Sequence, residues 1–196
     1  MGCSPLPKSA LPRQNMLPEN YFDFYDLQPR FYLDAEELRA RYLEISREYH
    51  PDQYALADEA TQAQVQAISV YNNRAYQTLS QFDSRLEYIL QTHGMTDGDD
   101  KAADGEFLAS IMSLNELLME LEFDADTQTY RKAKQELTKH ERELTEALKP
   151  LCEQFDAQNG ENAGEILQKI KKVYKKSRYL LRISERLHTF ATAYEK

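Results

Sequence analysis

The best candidates for chemistry in this sequence are the imidazole and the carboxylate of the stretch Tyr49-His50-Pro51-Asp52. Two such groups can act as an acid/base pair, or they can form a polar surface that a partner recognises. An acid/base pair alone is a weak sign of an enzyme, because the sequence has no nucleophile at a fixed spacing, glycine-rich phosphate loop or metal-ligand set. We therefore favour recognition, and we expect no enzyme activity, no metal and no cofactor.

Two predicted helices position this stretch. The first spans residues 34–49, with Asp34 as the N-cap and Glu37 three residues later. Pro51 lacks a backbone N–H and disfavours a helical conformation at the preceding residue, so the helix should end there. A second helix is predicted over residues 58–80 after a short polar link. The two helices would form a hairpin with His50, Pro51 and Asp52 at its tip.

Composition excludes several classes of protein. The 196 residues carry a net charge of -9, which argues against a nucleic-acid partner. Cys3 and Cys152 are far apart and form no disulfide framework, so we expect a reducing compartment. The sequence contains no run of about 18 apolar residues, so we expect neither a membrane-spanning helix nor a membrane partner.

The chain divides at two polar segments. Residues 1–19 hold four prolines and are expected to form a disordered tail. Residues 94–104 are rich in Gly and Asp and are the expected linker between two domains, residues 20–93 and 105–196. Three helices are predicted after the linker, over about 104–123 and 126–155 and from Asn162 onward, with a kink or break at Pro150. These helices indicate an antiparallel three-helix bundle, and the whole protein is expected to be all-α.

The first helix of this bundle has two distinct faces. At about 100° per residue, five apolar residues cluster on one core face. They are Phe107, Ile111, Leu114, Leu118 and Leu121. A second stripe, well away from the first, has members four residues apart. They are Leu108, Met112, Glu116 and Glu120. An apolar pair beside two carboxylates suits a docking surface, although Leu108 and Met112 could instead pack on the linker or the first domain.

These residues resemble a known family. Tyr21-Phe22-Asp23, followed by Leu27 and by the helix that ends in Tyr49-His50-Pro51-Asp52, resembles a J domain. The continuation Asp83-Ser84-Arg85-Leu86-Glu87-Tyr88-Ile89-Leu90, together with the three-helix second half, is similar to the HscB type of J-domain co-chaperone. That type serves iron–sulfur cluster assembly.

The resemblance implies two partners. The J domain would stimulate the ATPase of a DnaK/HscA-type chaperone through His50, Pro51 and Asp52, together with Arg41 and Arg47 on the preceding helix. The second half would bind an iron–sulfur scaffold protein of the IscU type through Leu108, Met112, Glu116 and Glu120. The expected compartment is the bacterial cytoplasm, with the mitochondrial matrix as the alternative.

Three positions depart from the family pattern. Gln53 stands where the family often has Lys, and its lack of charge would weaken docking on the chaperone. Ala109 and Ser113 replace a larger apolar residue and an acid, which places scaffold affinity in question. The alternative function is a general J-domain co-chaperone for unfolded clients. Such proteins commonly carry a Gly/Phe-rich linker and a cysteine-rich zinc module, and this sequence has neither.

Overall fold

The computed structural model describes residues 17–95, 105–123, 126–157 and 163–194, with side chains described as far as residue 190. Most of the expected tail, residues 1–19, and most of the expected linker, residues 94–104, lie outside these ranges. The chain divides into two compact units, Met1–Thr92 and His93–Lys196. The described residues form eight α-helices and no strand. The predicted all-α fold class is confirmed.

The first unit is built on the predicted helical hairpin. Its elements are α1 (Tyr21–Phe24), α2 (Ala35–Glu48), a 3-10 turn (Pro51–Tyr54), α3 (Glu59–Ser80) and α4 (Phe82–Thr92). Asp34 caps α2 as predicted, since its Oδ1 accepts hydrogen bonds from the N–H groups of Glu36 and Glu37. Asp58 caps α3 in the same way, and hydrogen bonds from the hydroxyl and N–H of Thr61 hold its pKa below the usual value.

Apolar side chains from all four helices and from the link before α2 form the core of this unit. They are Phe22, Tyr25, Phe31, Leu38, Val65, Ile68, Ala75, Leu79, Leu86, Ile89 and Leu90. Arg85 is also buried, and its guanidinium donates to the carbonyl oxygens of Phe31 and Leu79. The charged group therefore ties α4 to the link before α2 and to the end of α3.

A buried asparagine joins three elements of the first unit. The side-chain Oδ1 of Asn72 accepts a 2.8 Å hydrogen bond from the Tyr25 hydroxyl. Its Nδ2 donates to the Tyr42 carbonyl at 3.1 Å and to the Ser46 hydroxyl at 2.9 Å. Burial raises the pKa of Tyr25, so its hydroxyl remains a donor at neutral pH. This network fixes α2 against α3 and therefore sets the orientation of the hairpin tip.

The second unit is a bundle with three arms. Its helices are α5 (Gly105–Ser110), α6 (Met112–Phe123), α7 (Thr127–Ala157) and α8 (Ala163–Tyr194). Tyr130 near the start of α7 and Leu187 near the end of α8 belong to one core cluster, so these two helices are antiparallel. Within the described residues, none of the helices combines the length and the apolar character that crossing a membrane requires.

The first part of the bundle consists of α5 and α6, which are separated at Ile111. A single helix was predicted over this stretch. The Ser110 hydroxyl donates to the Phe107 carbonyl at 2.7 Å, and the Ile111 N–H donates to the same oxygen at 3.2 Å. A serine hydroxyl that competes for a backbone acceptor disturbs helix geometry. The predicted core face is nevertheless confirmed, because all five of its side chains are buried.

A kink or a break was predicted at Pro150, and the break was wrong, because α7 continues through that residue. A proline inside a helix removes one hydrogen bond and costs roughly 3 kcal/mol or more. Cys152 and Phe155, which follow it, are both buried. Packing of an apolar face supplies most of the stability of a helix in a protein, and here it offsets the lost bond.

Candidate functional site

The tip of the hairpin is held by bonds within the His50-Pro51-Asp52 stretch itself. The His50 Nδ1 accepts a 3.3 Å hydrogen bond from the Asp52 N–H, so the imidazole caps the 3-10 turn. Pro51 occupies the first position of that turn, where a missing N–H is tolerated. The same Nδ1 lies 3.6 Å from the Asp52 Oδ2.

Two further side chains tie the 3-10 turn back to the end of α2. Gln53 donates from Nε2 to the Arg47 carbonyl at 3.0 Å, and the Tyr54 hydroxyl donates to the Glu48 carbonyl at 3.1 Å. Both acceptors belong to the last turn of α2, whose carbonyls have no partner within the helix. Gln53 therefore has a structural role at the position where the family often places a positive charge.

The tip residues face solvent. The Asp52 side chain is 89% exposed and that of His50 is 55% exposed. On α2, Arg47 is exposed and Arg41 is half-buried. The structure thus places the five expected chaperone-contact residues on the tip and on the helix that leads to it.

Sequence reasoning missed an ordered projection beside the tip. Leu56 is 101% exposed, although the loop that carries it is fixed on both sides. The Gln62 side chain donates from Nε2 to the Ala55 carbonyl at 3.1 Å and to the Ala57 carbonyl at 2.9 Å. A cleft of about 360 Å³ lies between the 3-10 turn and α3. The contacts all lie between residues 55 and 62, but the presence of a glutamine does not by itself indicate which carbonyls it contacts.

In the second unit, the expected docking stripe is only partly exposed. Met112 is 60% exposed, and Glu116 and Glu120 are also exposed. Leu108, which was expected off the core face, is half-buried and packs against the core of the bundle. Leu108 lies about 100° around the helix from buried Phe107, at the margin of the core face, which accounts for its partial burial. Ala109 and Ser113 are exposed as well.

Two exposed apolar residues of α6 were not singled out from the sequence. Met119 is 57% exposed and Phe123 is 90% exposed. At about 100° per residue, both lie within roughly 20° of Met112 on the helix. Helical periodicity indicates both positions, because they follow Met112 by two and three turns of the helix.

Comparisons with known proteins relate the chain to one family. The family profile described as "HSCB C-terminal oligomerisation domain" matches residues 103–188. Co-chaperone protein HscB of Proteus mirabilis (strain HI4320) is 36% identical over 113 residues, which cover 56% of this chain and 64% of that protein. The chain is thus similar to HscB-type co-chaperones. The matched part thus spans less than two thirds of the length of this curated HscB relative.

Solved structures of HscB proteins have the same fold. The crystal structure of human co-chaperone protein HscB superposes with a TM-score of 0.70 at 23% identity, covering 96% of this chain and 93% of the human one. Chaperone HscB from Vibrio cholerae gives a TM-score of 0.53 at 26% identity, covering 86% of this chain and 99% of the Vibrio chain. The human match extends over nearly the whole chain, and the HscB profile match contains all four residues of the expected docking stripe.

Proposed function

We propose that this protein is a co-chaperone with two binding surfaces and no catalytic activity of its own. The tip of the first unit stimulates the ATPase of a DnaK/HscA-type chaperone. The second unit binds an iron–sulfur scaffold protein of the IscU type and delivers it to that chaperone, which assists cluster assembly and transfer. The observation that carries the proposal is the exposed His50-Pro51-Asp52 tip, held by hydrogen bonds, in a chain that is similar to HscB-type co-chaperones. The proposed compartment is the bacterial cytoplasm or the mitochondrial matrix.

The geometry of the tip suggests how it acts. A partner surface that contacts the tip meets a backbone and a His50 imidazole that are held by hydrogen bonds, so little of their conformational freedom is lost on binding. Arg47 adds a positive charge one turn before the tip. A ligand shifts a conformational equilibrium only by binding the two states unequally. The tip therefore stimulates hydrolysis by binding the hydrolysis-competent state of the chaperone more tightly than its other states.

The proposed scaffold site is the docking stripe of Leu108, Met112, Glu116 and Glu120. Met112 supplies exposed apolar area, and the two glutamates supply negative charge beside it. Charges at the rim of an interface mainly direct association and select partners. The complementary scaffold surface is expected to carry apolar side chains next to lysine or arginine. Binding through these charges should weaken as salt rises.

The first test is His50→Gln. Glutamine retains a side-chain acceptor for the Asp52 N–H but lacks the imidazole ring, so the fold should persist, with a change in stability under about 0.5 kcal/mol. We expect stimulation of the chaperone ATPase to be lost. The matched control is His188→Gln, which changes an exposed histidine of α8 and should leave stimulation unchanged. A folded His50→Gln protein that stimulates normally would exclude the proposed tip.

The second candidate function is a general J-domain co-chaperone for unfolded clients. It is supported by the same tip but makes no use of the acidic stripe on α6. The two functions differ in an ATPase assay with the whole chain. An IscU-type scaffold should increase stimulation if the chain is dedicated to it, whereas a permanently unfolded protein should do so if the chain is a general co-chaperone.

A further inference from the structure

Helix α6 exposes apolar residues that do not belong to the docking stripe. Met112, Met119 and Phe123 fall within about 40° of arc and extend over roughly 16 Å of helix at 1.5 Å per residue. All three are more than half exposed. They lie opposite the buried Leu114, Leu118 and Leu121, so packing within the unit does not account for them.

The last turn of α6 is held against the bundle by buried Leu121, although Phe123 beside it remains 90% exposed. An exposed ion pair also links this turn to α8, since the Arg186 Nη2 lies 2.5 Å from the Glu122 Oε1. An apolar row of this size on an ordered helix is typical of an interaction surface rather than of isolated surface residues.

The charges of α6 indicate what covers this row. The helix contains three glutamates, Glu116, Glu120 and Glu122, and no lysine or arginine. If two copies of the chain paired through this face, acidic flanks would lie against acidic flanks, which is unfavourable. A partner surface with apolar side chains bordered by basic groups would match both the row and its flanks.

We propose that Met119 and Phe123 extend the docking stripe toward the C-terminal end of α6 and set its specificity for the scaffold protein. This inference rests on the proposed scaffold-binding function. Ala109 and Ser113 are smaller than the residues usual at their positions, so the first turns of the stripe offer less contact. Met119 and Phe123 supply that contact about three turns further along. The scaffold surface is thus displaced along the helix relative to the four-residue stripe.

The test is isothermal titration of the whole chain with the IscU-type scaffold protein. The double variant Met119→Ala/Phe123→Ala should raise the Kd at least tenfold, equivalent to about 1.4 kcal/mol. Met119→Leu/Phe123→Leu retains apolar area and should stay within about threefold of the unmodified chain. Leu181→Ala, at a half-exposed position of α8, is the matched control and should not change the Kd.

Each outcome decides the inference. If Met112→Ala weakens binding and the double variant does not, the extension is wrong while the proposed scaffold site stands. If the unmodified chain does not bind the scaffold, both are wrong. A double variant with a lowered melting temperature would make Met119 and Phe123 structural residues. A change in its sedimentation would show that a second copy of the chain covers the row, which also overturns the inference.

Discussion

At the scale of single residues, the tip depends on side chains that are remote from it. Asn72 is 1% exposed and bridges Tyr25, Tyr42 and Ser46, so it determines how α2 lies against α3. A buried polar group stabilises a fold only when its hydrogen bonds are made, and removing one partner leaves the others without compensation. The position of His50 thus depends on an amide more than 20 residues away in the chain.

We predict that Asn72→Ala lowers the free energy of unfolding of the first unit by about 1–3 kcal/mol, since the Tyr42 carbonyl and the Ser46 hydroxyl lose their bonds to the amide, while the Tyr25 hydroxyl keeps the Asn72 backbone carbonyl as an acceptor. Amide hydrogen exchange in α2 and α3 measures this locally. Asn73→Ala is the matched control, because Asn73 is exposed and only accepts a 3.1 Å bond from the Tyr42 hydroxyl. Equal losses of unfolding free energy for the two variants would show that burial of the Asn72 amide contributes nothing to stability.

Buried Cys152 illustrates how residue type alone misleads about chemistry. Its side chain is fully covered, and burial raises the pKa of the thiol to about 12. The thiolate, which is the reactive form, is therefore scarce at neutral pH. In this unit the cysteine packs as a small apolar residue of α7.

At the scale of elements, the faces of α5 and α6 separate folding from binding. Leu108 packs against the bundle core, whereas Met112 is exposed one turn later. The two residues have equivalent positions in the four-residue spacing of the docking stripe. Their contributions to stability should nevertheless differ, because only Leu108 leaves a cavity when truncated.

We predict that Leu108→Ala destabilises the second unit by about 1–2 kcal/mol, roughly half the cost of truncating a fully buried leucine. Met112→Ala should change stability by less than about 0.5 kcal/mol. Hydrogen exchange in α6 and α7 measures both effects. If Met112→Ala proved as damaging as Leu108→Ala, Met112 would be a packing residue and its role in docking would need revision.

At the scale of the whole molecule, the two units have separate cores. The apolar core of the first unit is assembled entirely from residues before Thr92, and the cluster of the second begins at Phe107. A unit with its own core can fold alone. The proposed division of labour therefore predicts that the two activities can be separated by cutting the chain between them.

We predict that residues 1–93 stimulate the chaperone ATPase to the basal level of the whole chain but give no further response to the IscU-type scaffold. The fragment keeps the tip and its supporting network but lacks α6. The measurement is ATPase rate against fragment concentration, with and without scaffold, and the fragment carrying His50→Gln is the inactive control. A folded fragment that fails to stimulate at any concentration would contradict the proposed division.

The sequence by itself determined the helices and their internal faces. Asp34 as the cap of α2, the end of that helix before Pro51, and the five buried residues of α5, Ile111 and α6 all follow from local periodicity and backbone chemistry. Such features depend on neighbours within one or two turns. They can be predicted without knowing where the rest of the chain lies in the fold.

Only the tertiary structure decided which side chains remain exposed to solvent and which are held by hydrogen bonds. Gln53 and Gln62 find their acceptors in other elements, and α7 continues through Pro150 as the residues after it pack. Burial of Leu108 and exposure of Phe123 likewise depend on where α7 and α8 lie. A residue's own neighbours set its conformation, but elements distant in sequence set its solvent contact, and solvent contact decides whether a partner can reach it.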